Sequence, residues 1–292
     1  MKLKGPALAL ATILIWGVTF VNTKVLLAGF SAFEILFLRF LLAYLALWVM
    51  APRRFSVSGW REELTFAAMG LFGVFAYQFL ENCAISFTNA SNVAILVSAC
   101  PMGTALLSAL ILREKTISFR FIVGFVLAMS GIICVCLSGI REFHFNPVGD
   151  LLALAAMLCW SVYSVLITRT NGKGYEPLLA IRRTFFWALV LMAPCVPFLC
   201  DFNPSANAVR WSECWNLFHL GFLGILASAL AFVLWNRTCS LLGTVRATCG
   251  LYFIPIVTAV VAHLALGEAL APLAILGGVL TVLGVAWSTG RR

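Results

Sequence analysis

Charged side chains are scarce in this chain. Asp, Glu, Lys and Arg together make up 11% of its 292 residues, against about 25% in an ordinary soluble domain. A soluble protein cannot cover its surface with so few charges, so the composition excludes a soluble globular fold. Hydrophobic residues instead make up 62% of the chain, as expected of a protein embedded in a bilayer.

Catalytic and metal-binding motifs are also missing. The sequence has no His-Glu-x-x-His, no paired aspartates in an apolar run, no Gly-x-Ser-x-Gly and no phosphate-binding glycine loop. These absences argue against a membrane enzyme and against an ATP-driven pump. The ten cysteines form no Cys-x-x-Cys pair and have no histidines at zinc spacing, so no metal or other cofactor is predicted. Cys200 and Cys214 flank one loop, and their pairing is left open.

Apolar runs long enough to cross a bilayer account for nearly all of the chain. A spanning helix needs roughly 20 predominantly apolar residues. Such runs lie at 6–28, 33–51, 64–87, 90–111, 118–138, 148–168, 178–200, 215–237, 245–266 and 272–289. Because the connections are short, no soluble domain fits between them. The sequence therefore predicts an all-α integral membrane protein with ten transmembrane helices.

The basic residues of the loops indicate the orientation. If the N-terminus is cytoplasmic, nearly all Lys and Arg in loops or at helix ends face the cytoplasm, and among loop residues only Arg141 and Arg210 face outward. This distribution follows the positive-inside rule and predicts that both termini are cytoplasmic. It also explains the net charge of +9 without a nucleic-acid partner.

Internal duplication divides the chain into two halves. Residues 8–18 return at 152–162, which pairs Trp16 with Trp160 at a spacing of 144 positions. Because each half holds an odd number of spans, we predict two inverted five-helix repeats, residues 1–144 and 145–292. Such repeats are typical of secondary transporters, which bind substrate near the bilayer midplane between the repeats. Later in each half the spacing is 154, and it pairs Asn82 with Asn236, Pro101 with Pro255, Glu114 with Glu268 and Gly124 with Gly278.

Two of these paired residues are prolines near the middle of a span. Pro101 lies in the fourth span and Pro255 in the ninth. Proline removes a backbone donor and clashes with the preceding turn, so both helices should bend there. Matched interruptions of this kind point to a substrate site. We therefore predict that both prolines are hinges or kinks beside the site, with simple packing kinks as the alternative.

A set of short motifs recurs in order along the chain. They are Trp16-Gly17 with Phe20, Asn22 and Lys24, then Arg39-Phe40, Thr88-Asn89-Ala90, Pro101, Leu110–Glu114, Pro255 and Leu266-Gly267-Glu268. In this set the chain resembles the ten-helix, EamA-type branch of the drug/metabolite transporter superfamily. It departs at Arg113, where the family usually has the glycine that is kept here as Gly267. The resemblance implies an exporter or exchanger of the bacterial cytoplasmic membrane with a central cavity, for amino acids, other metabolites or drugs.

Three ionisable residues lie deep within the first spans. Glu81 and Arg39 each sit about 9 Å below the outer ends of their helices, at ~1.5 Å per residue, and Lys24 is close behind. Such residues usually face the bundle interior and form pairs, so we expect an Arg39–Glu81 pair. That pair is either a structural lock between the second and third helices or a functional site, in which Glu81 takes up protons or meets a substrate amine. Burial favours the protonated carboxyl and a close cation favours the carboxylate, and the sequence leaves this balance open.

Further polar and aromatic residues share the faces that should line a cavity. Tyr77 and Glu81, like Gln78 and Asn82, are four residues apart and lie on neighbouring stripes of one helix face. Small polar residues that only join helices are the alternative interpretation. The predicted substrate-binding residues are Trp16, Asn22, Lys24, Arg39, Tyr77, Gln78, Glu81, Asn82, Trp160, Tyr163, Trp235, Asn236 and Tyr252.

This set of residues favours one class of substrate. Aromatic walls with few fixed charges suit a small zwitterionic or neutral solute, because a polyanion would need several convergent cations. We therefore predict a secondary transporter that exports an amino-acid-like or similar metabolite by alternating access of the two repeats. A multidrug or organic-cation exporter and a lipid flippase remain as alternatives, and the oligomeric state is left open.

Overall fold

The computed structural model describes residues 4–57, 59–87, 90–115, 117–137, 146–200, 210–266 and 272–289. In this part of the chain the structure is helical and has no strands. Cys200 and Cys214 both carry free thiols. The boundary at 144/145 and Glu268 lie outside the described residues.

Ten helices make up the described part of the chain, as the ten apolar runs predicted. Eight are long and apolar enough to cross a membrane, and the first and last contribute the shorter apolar stretches Lys4–Thr19 and Pro272–Ser288. The helices are α1 (Lys4–Leu26), α2 (Ala32–Met50), α3 (60–87), α4 (90–112), α5 (Phe119–Leu137), α6 (Pro147–Asn171), α7 (Pro177–Leu199), α8 (Cys214–Leu242), α9 (244–266) and α10 (Pro272–Thr289).

Local sequence sets several of the helix ends. α2 begins with a capping box, in which the Glu34 amide donates to the Ser31 hydroxyl and the Ser31 amide donates to the Glu34 carboxylate. At α6, Asn146 accepts two backbone amides ahead of Pro147, which needs no partner at the first helical position. At the end of α4, Arg113 adopts a left-handed conformation with φ 56°. That conformation favours glycine, so it accounts for the glycine that the family usually has there.

Packing between the halves is reciprocal. α1 packs on α8 and α9, while α6, its equivalent in the second repeat, packs on α3 and α4. In the same way α2 packs on α8 and α7 packs on α3, and α5 and α10 lie against each other. A pseudo-twofold relation between two five-helix repeats produces this pattern. The contact of α5 with α10 depends on glycine, because a Cβ on Gly131 or Gly277 would meet the backbone of the other helix.

Helical geometry is interrupted at equivalent places in the two repeats. α3 is π-helical at Leu71–Ala76 and α8 at Phe222–Leu230, which largely coincide at the repeat spacing of 154. α4 is broken at 98–99, just before Pro101, and α9 tightens to a 3₁₀ turn at Gly250–Phe253, just before Pro255. π-helical turns often occur at functional sites. These interruptions all lie in the helices that α1 and α6 pack against.

The connections divide the bundle into two sides. We call the side on which α1 begins and α10 ends the termini side. Gly5 of α1 packs there against Leu242 at the end of α8. On the other side, which we call the opposite side, Arg210 ahead of α8 contacts Gly29 after α1.

Candidate functional site

An aromatic cluster lies where α1, α6 and α8 meet between the repeats. The ring centroids of Trp16 and Trp160 are 5.7 Å apart with an edge-to-face geometry. Trp235 lies 5.4 Å from Trp16 and 6.3 Å from Trp160, and Phe232 lies 5.5 Å from Trp16. All four side chains are buried. The paired tryptophans predicted from the duplication are therefore in direct contact, and both repeats contribute to the cluster.

Two tyrosines extend the cluster toward α3. The Tyr77 ring on α3 is 5.0 Å from the Trp160 ring, and the Tyr163 ring is 5.3 Å from it. Tyr163 lies flat against α3 at Gly73, where a Cβ would clash with its ring. The absence of a side chain at Gly73 thus allows α3 and α6 to approach at the level of the cluster.

Several buried polar atoms around the cluster have no hydrogen-bond partner among the described residues. They include Nε1 of Trp160 and of Trp235, Oη of Tyr163 and both side-chain polar atoms of Asn236. Oη of Tyr252, which packs in a neighbouring group with Ala105 and Cys249, is also unpartnered there. Leaving a buried donor or acceptor unpaired costs about 1–3 kcal/mol, and native proteins do so rarely. These neutral donors and acceptors are therefore available to a polar solute.

Two hydroxyls of α4, which packs on α6, are unpartnered as well and were missed by the sequence analysis. Thr104 and Ser108 are buried, and neither hydroxyl has a partner among the described residues. They are four residues apart, shortly after Pro101, and so lie on one face of α4. That spacing next to a mid-span proline was the available signal.

A vestibule leads toward these atoms from the termini side. It has a volume of about 900 Å³ and is lined by the α4–α5 connection, the end of α6 and the α8–α9 turn. Cys239 and Cys249 line it. Trp235 and Asn236 lie one helical turn deeper than Cys239, and Tyr252 lies three residues beyond Cys249, about 4.5–6 Å at 1.5 Å per residue. The vestibule therefore ends close to the unpartnered polar atoms.

Hydrogen bonds between the repeats close the opposite side. Trp16 Nε1 donates to the Ala227 carbonyl at 3.0 Å, and Asn22 Oδ1 lies 2.6 Å from Nδ1 of His219. The Thr258 hydroxyl donates to the Gly17 carbonyl at 3.0 Å. All three contacts tie α1 to α8 or α9.

Charged residues reinforce this closure at the end of the bundle. Arg210 Nη1 donates to the Gly29 carbonyl at 2.9 Å and lies 3.3 Å from Glu34 Oε2. Its guanidinium also lies 4.9 Å from the centre of the Phe30 ring. The Ser31 hydroxyl donates to the Leu199 carbonyl at 3.1 Å. The opposite side is thus closed by contacts of both repeats.

Arg39 and Glu81 have separate hydrogen-bond partners. Arg39 Nε donates to the Ser228 hydroxyl at 2.9 Å, and Tyr77 Oη donates to Glu81 at 3.2 Å. The side-chain bond of Arg39 therefore joins α2 to α8 instead of locking α2 to α3. The reason is a close approach, because a Cβ on Gly224 of α8 would meet the Arg39 carbonyl and Leu42.

The remaining predicted residues lie on the same helices. Gln78 and Asn82 are half-buried on α3 beside Tyr77 and Glu81. Lys24 belongs to α1, and its side chain is outside the described part of the structure. The structure thus brings Trp16, Trp160, Tyr163, Tyr77 and Trp235 together, while Asn22 contributes to the closed side.

Comparison with known proteins reveals relatives over the whole chain. The EamA-like transporter family matches residues 3–137 and 147–290. An "Uncharacterized transporter" of Archaeoglobus fulgidus is 29% identical, with 100% of this chain and 99% of that protein aligned. A "Probable terminal-alkyne amino-acid exporter" of Streptantibioticus cattleyicolor is 28% identical over 98% and 93% of the two chains.

One further relative and one solved structure extend this comparison. A "Probable amino-acid metabolite efflux pump" of Salmonella typhimurium is 27% identical over 98% of this chain and 94% of that protein. A solved crystal structure superposes with a TM-score of 0.79, covering 97% of this chain and 95% of its own, at 19% identity. At that identity the similarity concerns the fold alone.

Proposed function

Because this chain belongs to the EamA-like transporter family, we propose that it exports a small amino-acid-like or other zwitterionic or neutral metabolite by alternating access of its two repeats. The observation that carries the proposal is the group of buried, unpartnered polar atoms around the aromatic cluster, at the end of the vestibule. Transport needs no enzymatic chemistry, and the site requires only that a solute bind and leave.

The composition of the site supports this substrate class. The unpartnered atoms belong to indole, phenol, amide and hydroxyl groups, all neutral. The nearest deep charges already have partners, since Arg39 bonds to Ser228 and Glu81 accepts from Tyr77. A small solute with several hydrogen-bonding groups fits such a set better than an ion with many charges. The relatives named as an amino-acid exporter and an amino-acid metabolite efflux pump agree with this choice.

The contrast between the two sides supports alternating access. The vestibule opens on the termini side, while Trp16, Asn22, Arg210 and Ser31 hold the opposite side closed. The basic loops predict that both termini are cytoplasmic. In a bacterial inner membrane the substrate would then enter from the cytoplasm. Export follows when the bonds of the opposite side break and the vestibule walls close, and Pro101 and Pro255 are the proposed hinges.

The proposal is tested by counterflow in proteoliposomes with amino acids, nucleosides, other metabolites and flat organic cations. The informative variant is Asn236→Leu, because it removes a buried amide that has no partner among the described residues while keeping the same number and branching of side-chain heavy atoms. We expect exchange to require at least a tenfold higher solute concentration, with a melting temperature that is unchanged or higher. Thr238→Val on the same helix is the control, since that hydroxyl bonds to the Leu234 carbonyl, and its exchange should match wild type.

Other outcomes would replace the proposal. Equal exchange by wild type and Asn236→Leu would contradict the location of the site. Exchange confined to organic cations would favour a multidrug exporter, with Glu81 as the partner of the amine. If no soluble compound moves and labelled lipids change leaflet, the protein is a flippase.

A further inference from the structure

The tryptophan that helps to close the opposite side has an unpartnered counterpart in the other repeat. Trp16 Nε1 donates to the Ala227 carbonyl, which lies in the π-helical turn of α8. At the repeat spacings of 144 and 154, Trp16 corresponds to Trp160, and Ala227 corresponds to Gly73 in the π-helical turn of α3. Trp160 Nε1 is buried and has no partner among the described residues. The hydrogen bond is thus formed in one of two equivalent places.

A threonine shows the same difference between the repeats. The Thr258 hydroxyl of α9 donates to the Gly17 carbonyl of α1 at 3.0 Å. The equivalent residues are Thr104 of α4 and Ser161 of α6. The Thr104 hydroxyl is buried, and it has no partner in the part of the chain that the structure describes. Two donors that close the opposite side therefore have unpartnered equivalents.

The two helix crossings that hold these threonines are packed alike. A Cβ on Gly17 of α1 would meet Val257 of α9, and a Cβ on Gly103 of α4 would meet the Ser161 hydroxyl of α6. Because Gly17 corresponds to Ser161 and Val257 corresponds to Gly103, each crossing places one glycine against one larger residue. Both crossings are close, so the missing bond of Thr104 does not result from a separation of α4 from α6.

The unpartnered threonine lies on the vestibule side of the bundle centre. Thr258 lies past the middle of α9, a helix that begins on the termini side. Thr104 lies past the middle of α4, a helix that begins on the opposite side. Since α4 belongs to the first repeat and α6 to the second, a bond from Thr104 to α6 would join the repeats on the termini side.

We infer that Trp160 and Thr104 are positioning residues that close the termini side in the second conformation of the transport cycle. In that conformation Trp160 Nε1 donates to the Gly73 carbonyl. The Thr104 hydroxyl donates to the Ser161 carbonyl, and the bonds of the opposite side are broken. The inference rests on the alternating access of the proposed function. Two inverted repeats of one fold can exchange their conformations, and access to the site then moves to the other side of the membrane.

This exchange also links closure of the termini side to release of the solute. While the vestibule is open, Trp160 Nε1 and the Thr104 hydroxyl are available to a solute. When the termini side closes, both donors turn to backbone carbonyls. The solute therefore loses two hydrogen-bond donors as the opposite side opens, which favours its release there.

The count of bonds favours the vestibule-open conformation. The opposite side is held by a third contact near the bundle centre, between Asn22 and His219. Its equivalent cannot form on the termini side, because Leu166 takes the place of Asn22 at the spacing of 144. One bond more therefore holds the opposite side closed than would hold the termini side closed.

Thiol labelling of a buried position on α8 measures the opening of the opposite side without any solute. Leu223 is fully buried on α8 between His219 and Ala227, which both bond to α1. In Leu223→Cys the thiol should react with a water-soluble maleimide only when α8 leaves α1. If opening is faster than the reaction, the labelling rate is proportional to the population of that conformation. The exposed Cys214 is the internal reference.

The two threonines should affect this rate in opposite directions. Thr258→Val should raise it about 2–12-fold, because the variant removes one hydrogen bond of the closed opposite side. Thr104→Val should lower it by a similar factor, because the lost bond forms only while the opposite side is open. The two substitutions together should restore the rate of Leu223→Cys alone. The matched control is Thr238→Val, whose hydroxyl bonds within its own helix, and it should leave the rate unchanged.

The tryptophans provide a second, independent pair of variants. In the same Leu223→Cys background, Trp16→Phe should raise the labelling rate and Trp160→Phe should lower it. A role of Trp160 and Thr104 in packing alone predicts no decrease in labelling. An unchanged or higher rate in Thr104→Val or in Trp160→Phe would overturn the inference.

Counterflow with the same proteins separates this inference from the proposed function. Opposite effects of Thr104→Val and Thr258→Val on labelling, without exchange of any soluble compound, would support the two closures and contradict the proposed substrate class. Exchange of a zwitterionic metabolite together with unchanged labelling in Thr104→Val would overturn the inference, while the transport function stands.

Discussion

The two equivalent tryptophans should have different functions. Trp16 and Trp160 are buried to almost the same extent, with 8% and 6% of their surface exposed, and both rings belong to the same cluster. Their indole N–H groups differ, because that of Trp16 donates to the Ala227 carbonyl while that of Trp160 has no partner among the described residues. Replacing each by phenylalanine removes a similar part of the ring, so the difference between the variants isolates the N–H group.

The loss of stability in each variant depends on which polar groups the substitution leaves unpaired. Trp16→Phe leaves the buried Ala227 carbonyl without its donor, which costs about 1–3 kcal/mol. Trp160→Phe breaks no bond within the described protein, so its stability loss should be limited to the lost ring contacts. At about 2–4 °C per kcal/mol for chains of 150–250 residues, Trp16→Phe should melt about 2–12 °C below Trp160→Phe.

The affinities should show the reverse order. If Trp160 Nε1 binds the solute, Trp160→Phe should raise the half-saturation concentration about 2–12-fold, the equivalent of one hydrogen bond. Trp16→Phe should change it less, because its N–H group already has a partner. The assays are thermal unfolding in detergent and counterflow on the same preparations. Equal melting temperatures, or a loss of affinity in Trp16→Phe alone, would refute this reasoning.

Three further predictions concern single residues. Arg113→Gly should raise stability by about 0.5–1 kcal/mol, because it relieves a left-handed conformation that costs a non-glycine residue about 1–2 kcal/mol; an unchanged or lower melting temperature would contradict this. Glu81→Gln should abolish any acceleration of solute transport by a pH gradient. It should preserve exchange without a gradient, since the Tyr77 hydroxyl can still donate to the amide oxygen. If a pH gradient accelerates transport equally in wild type and variant, Glu81 is not a coupling acid. Arg210→Gln should increase the rate of thiol labelling of the half-buried Cys200 about tenfold, because it opens the opposite side. The control Arg53→Gln removes an exposed ion pair and should leave this rate unchanged. Equal labelling rates in both variants would show that Arg210 does not hold that side closed.

Much of the architecture follows from one-dimensional features. Apolar runs of about 20 residues can only be spanning helices in a chain with so little charge. Five spans per half make the repeats inverted, and the duplication placed Trp16 and Trp160 as equivalent residues. The family resemblance marked Arg113 as a departure from the usual glycine, and the backbone is left-handed at that residue. These features depend on hydrophobicity, chain connectivity and local backbone conformation, which the sequence determines directly.

The partners of the buried polar groups were decided only by tertiary structure. Equal depth suggested Glu81 for Arg39, but Gly224 lets α8 approach α2 and brings Ser228 to the guanidinium. How the helices pack likewise decides which of the two tryptophans keeps an unpartnered N–H group, and that a vestibule opens on the termini side. Spacing along a helix places a residue on a face, but the neighbouring helix that supplies its partner is chosen by side-chain volumes at each crossing.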